Sequence, residues 1–145
     1  LDAGSLRDEV LKLVPLAEVV IASAPFADAL SGSGRHDAAL ATIRAMGPRL
    51  VAITRGEKGC VAVAGRSGAP FEVPAFPVEV VDTTGAGDAF HAGAAWALLR
   101  GKTWEPALRF AAAVAACKCR HEGAREGLPR ADEVGRFLDT PGVPG

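Results

Sequence analysis

The chain has 145 residues, enough for one domain with a real core, and its 49% hydrophobic and 23% charged residues are the balance of an ordinary globular protein. With a net charge of −1 a broadly basic nucleic-acid face is not expected, although backbone amides bind phosphate without any net charge. Three cysteines (Cys60, Cys117 and Cys119) and no early apolar signal stretch argue against a disulfide-built secreted domain, and no apolar run is long enough to span a membrane, so the expected compartment is the cytoplasm.

Leu1 is not a methionine, and Leu1–Gly4 reads as the end of a strand running into a loop, as in a fragment or a processed product. Residues 5–14 carry Leu6, Val10, Leu11 and Val14 at helical spacing, with Ser5 as the expected N-cap. Val19-Val20-Ile21, within 18–22, is a β-branched run of the buried-strand type. Residues 36–46 predict a helix closed near Gly47-Pro48, and Leu50–Thr54 a second buried strand. Arg55–Gly59 is a glycine-punctuated turn, Cys60–Ala64 a third strand, and Gly65–Gly68 a tight turn. Pro70, Pro74 and Pro77 interrupt residues 70–81, which read as edge strand or loop. Long helices are expected from about Gly85 to Leu99 and from about Glu105 to Cys119, and a short one over 131–138. The alternation of strand and helix predicts an α/β layered domain with a largely parallel sheet.

The chemistry concentrates in Asp82-Thr83-Thr84-Gly85-Ala86-Gly87-Asp88, between an extended segment and a helix. Gly85 and Gly87 permit backbone conformations closed to other residues and keep side chains off the approach path. Amides of residues 85–88 at a helix start, reinforced by the helix dipole, make a site for phosphate oxygens. Asp88 in the first turn can accept the proton of an attacking hydroxyl, or it can simply complement the dipole. Asp82 and the Thr84 backbone offer oxygens to a cation, and Asp82 also fits as a turn former.

The string Val81–Gly93, with Ala89-Phe90 and Gly93 following the seven-residue core, resembles the C-terminal signature of the PfkB/ribokinase family of carbohydrate kinases. Ile53–Gly59 is similar to that family's strand and glycine turn near the nucleotide, Ala107–Cys119 to the helix flanking the adenine, and Gly123 with Leu128-Pro129 to its closing loop. The resemblance covers nearly all of this chain but only the C-terminal half of a usual member. It implies a ribokinase-like fold and ATP-dependent phosphorylation of a sugar or sugar-like alcohol. Asp88 would be the catalytic base, Gly85, Ala86 and Gly87 the anion hole, and Thr54, Gly56, Gly59 and Ala112 part of the ATP site. Asp82 and Thr84, with carbonyls from around Lys118 and Gly123, would hold a monovalent cation such as K⁺. Mg²⁺ is expected to arrive on the ATP phosphates.

The family's Asn-x-x-Glu motif is missing: the corresponding stretch reads Ala22-Ser23-Ala24-Pro25-Phe26, with Ser23 where the Asn would stand. That serine and the Val114–Cys119 pattern resemble the ketohexokinase-like and bacterial ketose-kinase branch. The implied partners are a small sugar and ATP, not nucleic acid or membrane, with a homodimer or a missing N-terminal half as protein partner. The whole chain reads as a single ATP-binding and catalytic domain whose sugar-binding and lid portion lies elsewhere. The other function reading is a nucleotide-binding fragment without kinase activity of its own.

Among the remaining residues, Cys117 and Cys119 read as core or helix-face thiols, since a zinc site needs a second pair. His91 reads as packing or surface rather than a ligand contact. Arg55 and Lys58 read as solvated turn charges, with phosphate contact as the other reading. Trp96 and Trp104 are expected to pack the two long helices. The charged loop Arg120–Arg125 fits equally a cover for the adenine or a solvent-facing loop.

Overall fold

The computed structural model describes residues 1–65 and 67–140. The chain divides into two compact units, one spanning Leu1–Glu72 and a second beginning at Val73. The sheet has strands β1 (Asp2–Ala3), β2 (Val19–Ser23), β3 (Leu50–Thr54) and β4 (Cys60–Ala64), all in the first unit, and β5 (Phe71–Val73), which ends one residue past it, in the order β1-β2-β3-β4-β5. β1 with β2 and β2 with β3 pair in parallel, and β3 with β4 antiparallel. The α/β class and the largely parallel sheet therefore follow the sequence expectation.

Three helices accompany these strands: α1 (Asp8–Leu13), α2 (Ala24–Ser31) and α3 (His36–Ala45). Val20, Ala22, Val51, Ile53, Val61 and Val63 join Phe26, Ala27, Ala39, Leu40 and Ile43 in one buried cluster. The alternate residues of β2, β3 and β4 thus share one sheet face, as a period of two requires. The β-branched runs at Val19–Ile21 and Leu50–Thr54 became strands because such side chains pack well on a pleated, buried surface.

The expected helix over 5–14 is shorter at both ends. It begins at Asp8 after an extended Arg7, and Ser5 does not cap it. Asp8 and Glu9 occupy its first turn, where carboxylates favour the positive end of the helix dipole. Val14 opens a 3₁₀ turn, Val14–Leu16, because Pro15 lacks the N–H that an α-helix would demand there. Residue spacing assigns no element to 24–31, where α2 forms. Its signal is local: Ser23 Oγ accepts the Phe26 N–H at 3.2 Å, and Pro25 sits in the first turn, which needs no N–H from it. Of the expected turn at Gly65–Gly68, Arg66 lies outside the described residues, and Gly65 has φ +70°.

The second unit contains α4 (Ala86–Leu99), α5 (Trp104–Cys119) and α6 (Ala131–Leu138), all within a residue of expectation. α4 packs along α5. Gly93 is what lets them approach: a Cβ there would lie 2.9 Å from both Ala111 Cα and Val114 Cγ2. Trp96 stacks on Phe110 at 4.7 Å between ring centroids and 17° between planes, with the Arg100 guanidinium 5.2 Å over its ring. Phe76, in the extended segment, meets Phe137 of α6 edge-on at 5.4 Å.

Candidate active site

The turn before α4 is set by Gly85, whose φ of +77° is closed to ordinary L-residues. The same glycine is needed for space, since a Cβ would fall 2.9 Å from the Ala124 carbonyl oxygen. The Ala86 amide donates to the Thr83 carbonyl at 3.0 Å. The amides of Gly85, Gly87 and Asp88 have no partner among the described residues, so three donors of this helix start remain open to a ligand. Gly87 faces open space, and the exposed Asp88 stands at the third helical position. The arrangement can accept an anion and present a carboxylate beside it. His91 turns back on its own helix, its Nδ1 2.8 Å from the Gly87 carbonyl oxygen.

Asp82 ties this turn to the loop after α5. Its Oδ1 accepts the Thr84 N–H at 2.8 Å, and its Oδ2 accepts the Gly123 N–H at 2.9 Å. These donors hold the carboxyl well below the usual range, at about 2: the Thr84 amide first, then the Thr84 hydroxyl and the Gly123 amide, with Lys118 adding a smaller pull and burial opposing. The Val81 and Asp82 amides both donate to the Cys119 carbonyl, at 2.8 and 3.2 Å. Lys118 is wholly buried, and its Nζ donates to the Asp82 carbonyl oxygen at 2.7 Å. A buried ammonium with no acceptor would cost several kcal/mol, so this bond is a condition of the local fold.

Asp82, Thr84, Gly85–Asp88, Lys118 and Gly123 therefore gather in the second unit. Ala112 lies in the middle of α5 and is buried. Thr54, Gly56 and Gly59 gather in the first unit, where β3 turns into β4. Thr54 Oγ1 donates to the Ala22 carbonyl at 3.3 Å. Gly56 and Gly59 take φ of +58° and +75° at the two ends of a 3₁₀ turn, Gly56–Lys58, and the Arg55 amide closes the turn on the Gly59 carbonyl at 2.7 Å.

Arg55 corrects the reading of a solvated charge. Its side chain is only 18% exposed, pairs with Glu72 at 3.1 Å and donates to the Lys58 carbonyl at 3.3 Å. The guanidinium reaches one acceptor within the turn, the Lys58 carbonyl, and one outside it, Glu72, whereas the Lys58 side chain is exposed. Cys119 is buried and Cys117 partly so, and burial pushes both thiols up, which suits packing rather than nucleophilic roles.

Ser23, in the place of the missing Asn, is fully engaged: its hydroxyl donates to the Gly4 carbonyl at 2.8 Å and caps α2. Among the described residues no group of three or more His, Cys, Asp or Glu side chains is placed to hold a metal ion. A groove of about 530 Å³ runs along the end of α5 to α6, lined by Cys117, Arg120, His121, Pro129, Arg136 and Phe137 among others, and does not include residues 85–88. The Arg120–Arg125 loop contributes to that groove through Arg120 and His121. No described helix is long and apolar enough to cross a membrane.

Residues 1–131 match the family model described as pfkB family carbohydrate kinase. Among curated proteins, a ribokinase of Bacillus subtilis is 45% identical over 94 residues, 65% of this chain and 31% of that protein. Among solved structures, the Arabidopsis thaliana ribokinase complexed with ribose and ATP superposes with a TM-score of 0.81 at 29% identity, covering 90% of this chain and 43% of that one. A fructokinase double mutant of Vibrio cholerae, in a form with fructose, ADP and potassium ion bound, gives 0.79 at 30% identity over 89% of this chain and 43% of its own. The chain spans less than half the length of each of these relatives.

Proposed function

The chain belongs to the pfkB family of carbohydrate kinases, and we propose that it supplies the phosphate end of an ATP-dependent sugar kinase. The observation that carries this reading is the Gly85–Asp88 turn: three unpartnered amides at a helix start beside an exposed carboxylate. In the proposed reaction the γ-phosphate of ATP lies on the amides of Gly85, Gly87 and Asp88. The acceptor hydroxyl attacks phosphorus in line, its proton passes to Asp88, and the bond to the ADP oxygen breaks. The amides stabilise the charge that develops on the transferring group. Mg²⁺ bound to ATP would neutralise the phosphates. Ala86, nominated with its neighbours, would contribute through the conformation of the turn, its own amide being given to Thr83. Thr54, Gly56, Gly59 and Ala112 are the further nucleotide contacts in this proposal.

Acceptors to be compared are ketoses, aldoses and nucleosides. The Ser23 segment and the Val114–Cys119 pattern favour a ketose. ADP release measured with each acceptor tests the reading: sugar-dependent release supports it, and release indifferent to every alcohol contradicts it. One observation favours a second reading. The chain spans less than half of its relatives' length, which fits a nucleotide-binding portion that turns over only with the remainder of the enzyme. ATP-analogue binding without sugar-dependent turnover, with turnover gained on adding the complementary half of a relative, distinguishes that case. A homodimer is the alternative source of the missing contacts.

A further inference from the structure

Of the oxygens that the family resemblance offers to a monovalent cation, those of Asp82 and the Lys118 carbonyl already have donors. Both carboxylate oxygens of Asp82 are aimed at amide donors, from Thr84 and Gly123 at 2.8 and 2.9 Å. The Asp82 carbonyl accepts an ammonium at 2.7 Å, and the Lys118 carbonyl accepts the His121 amide at 3.1 Å. The positive charge of this cluster is already present, at the end of a side chain with no exposure to solvent.

We propose that Lys118 is a built-in cation: its ammonium serves in place of a bound K⁺, and by fixing the Asp82 carbonyl it presets the Thr83–Asp88 turn. Lys118 is thus a positioning residue, acting through Asp82 on the amides of the turn. The geometry supports this on three counts. Asp82 is the hub of the cluster, giving three acceptor atoms to three partners from two loops and a helix. The turn begins immediately after it, with the Thr83 carbonyl accepting the Ala86 amide. Lys118 also follows directly on Cys117 and precedes Cys119, whose carbonyl takes the Val81 and Asp82 amides, so α5 grips the segment by a side chain and a backbone atom from adjacent positions. A tethered ammonium forgoes the entropy cost of capturing a free ion from solution, and it makes the turn indifferent to which monovalent salt is present.

The role assigned to the turn rests on the proposed kinase reading, whereas the cation claim does not, so the test omits nucleotide. Thermal unfolding of the full chain is followed in potassium chloride and in tetramethylammonium chloride at equal concentration. Wild-type midpoints are expected to coincide, and a rise specific to potassium would overturn the proposal. Lys118→Ala is expected to melt lower in tetramethylammonium chloride and to recover part of the loss in potassium chloride. Equal midpoints for this variant in the two salts would show that no charge is wanted there and would likewise overturn it. Should Lys118→Ala not fold in either salt, Lys118→Met, which keeps the volume, decides the matter by amide hydrogen exchange. Faster exchange at Thr84 and Gly123, with α4 and α5 unchanged, is expected, and unchanged exchange at both amides would refute the positioning role. A null ATP titration, by contrast, would strike at the kinase reading and leave these results standing.

Discussion

The amide of Gly123 donates to Oδ2 of Asp82 over 2.9 Å, joining residues that stand 41 positions apart. With Oδ1 held by the Thr84 amide, one carboxylate anchors both the Thr83–Asp88 turn and the loop after α5. Because these bonds favour the ionised form, Asp82 is held at about 2 against its ordinary 3.8. A depressed carboxyl pKa contributes stability that is complete above the unfolded value and is lost as pH falls through the folded one. The stability gap between wild type and Asp82→Asn is therefore expected to be constant above about pH 5 and to close between roughly pH 4 and pH 2. Urea unfolding across that range checks it.

Asp88 is exposed at the third position of α4, so replacing it removes little packing. In the turnover-competent enzyme, Asp88→Asn is expected to lower kcat by roughly 10²–10⁴-fold, the range for loss of a general base. ATP-analogue affinity should be nearly unchanged. Full turnover in the variant would remove Asp88 from the role of base.

Gly85 and Gly87 separate backbone demand from ligand access. Gly85→Ala forces a side chain into φ +77° and against the Ala124 carbonyl, and should cost at least about 1–2 kcal/mol of stability. At Gly87 a Cβ meets nothing within 4 Å, so Gly87→Ala in the helix should be neutral or stabilising by up to about 1 kcal/mol. Its methyl group stands on the face proposed for phosphate, and analogue affinity should fall. Denaturant unfolding and calorimetric titration of the two variants give the comparison.

Gly93 is a packing residue rather than a ligand contact. Gly93→Val pushes a branched side chain into Ala111 and Val114, and overpacking of this kind typically costs about 1–3 kcal/mol. A lowered unfolding midpoint is expected, with Gly93→Ala intermediate. Thermal melts followed by circular dichroism measure it.

Much of this architecture was legible in the sequence where a single physical signal dominates. The runs Val19–Ile21 and Leu50–Thr54 are β-branched and short, and both are strands. The long helices after Gly85 and toward Cys119 follow from glycine punctuation and apolar spacing. α2 escaped because its eight residues are too few for helical spacing to stand out and its start signal is a serine with a proline two positions on. Ser5 failed as a cap because capping needs an extended residue immediately before the helix, and Arg7 holds that place. In the site, the glycine turn could be read from residue types alone, whereas the Asp82–Gly123 bond could not. Pairing across 41 positions depends on tertiary packing, and it was the family resemblance that nominated both residues. The resemblance offers Lys118 only as a source of carbonyl oxygen, and spacing carries no signal that its side chain turns inward to Asp82.

The central claim is that the start of α4 binds the ATP phosphates. A titration of the ¹⁵N-labelled chain with a non-hydrolysable ATP analogue and Mg²⁺, followed by amide resonances, tests it most directly. The account predicts saturable shifts at the amides of Gly85, Gly87 and Asp88. Saturable binding that leaves these three resonances unmoved would contradict it.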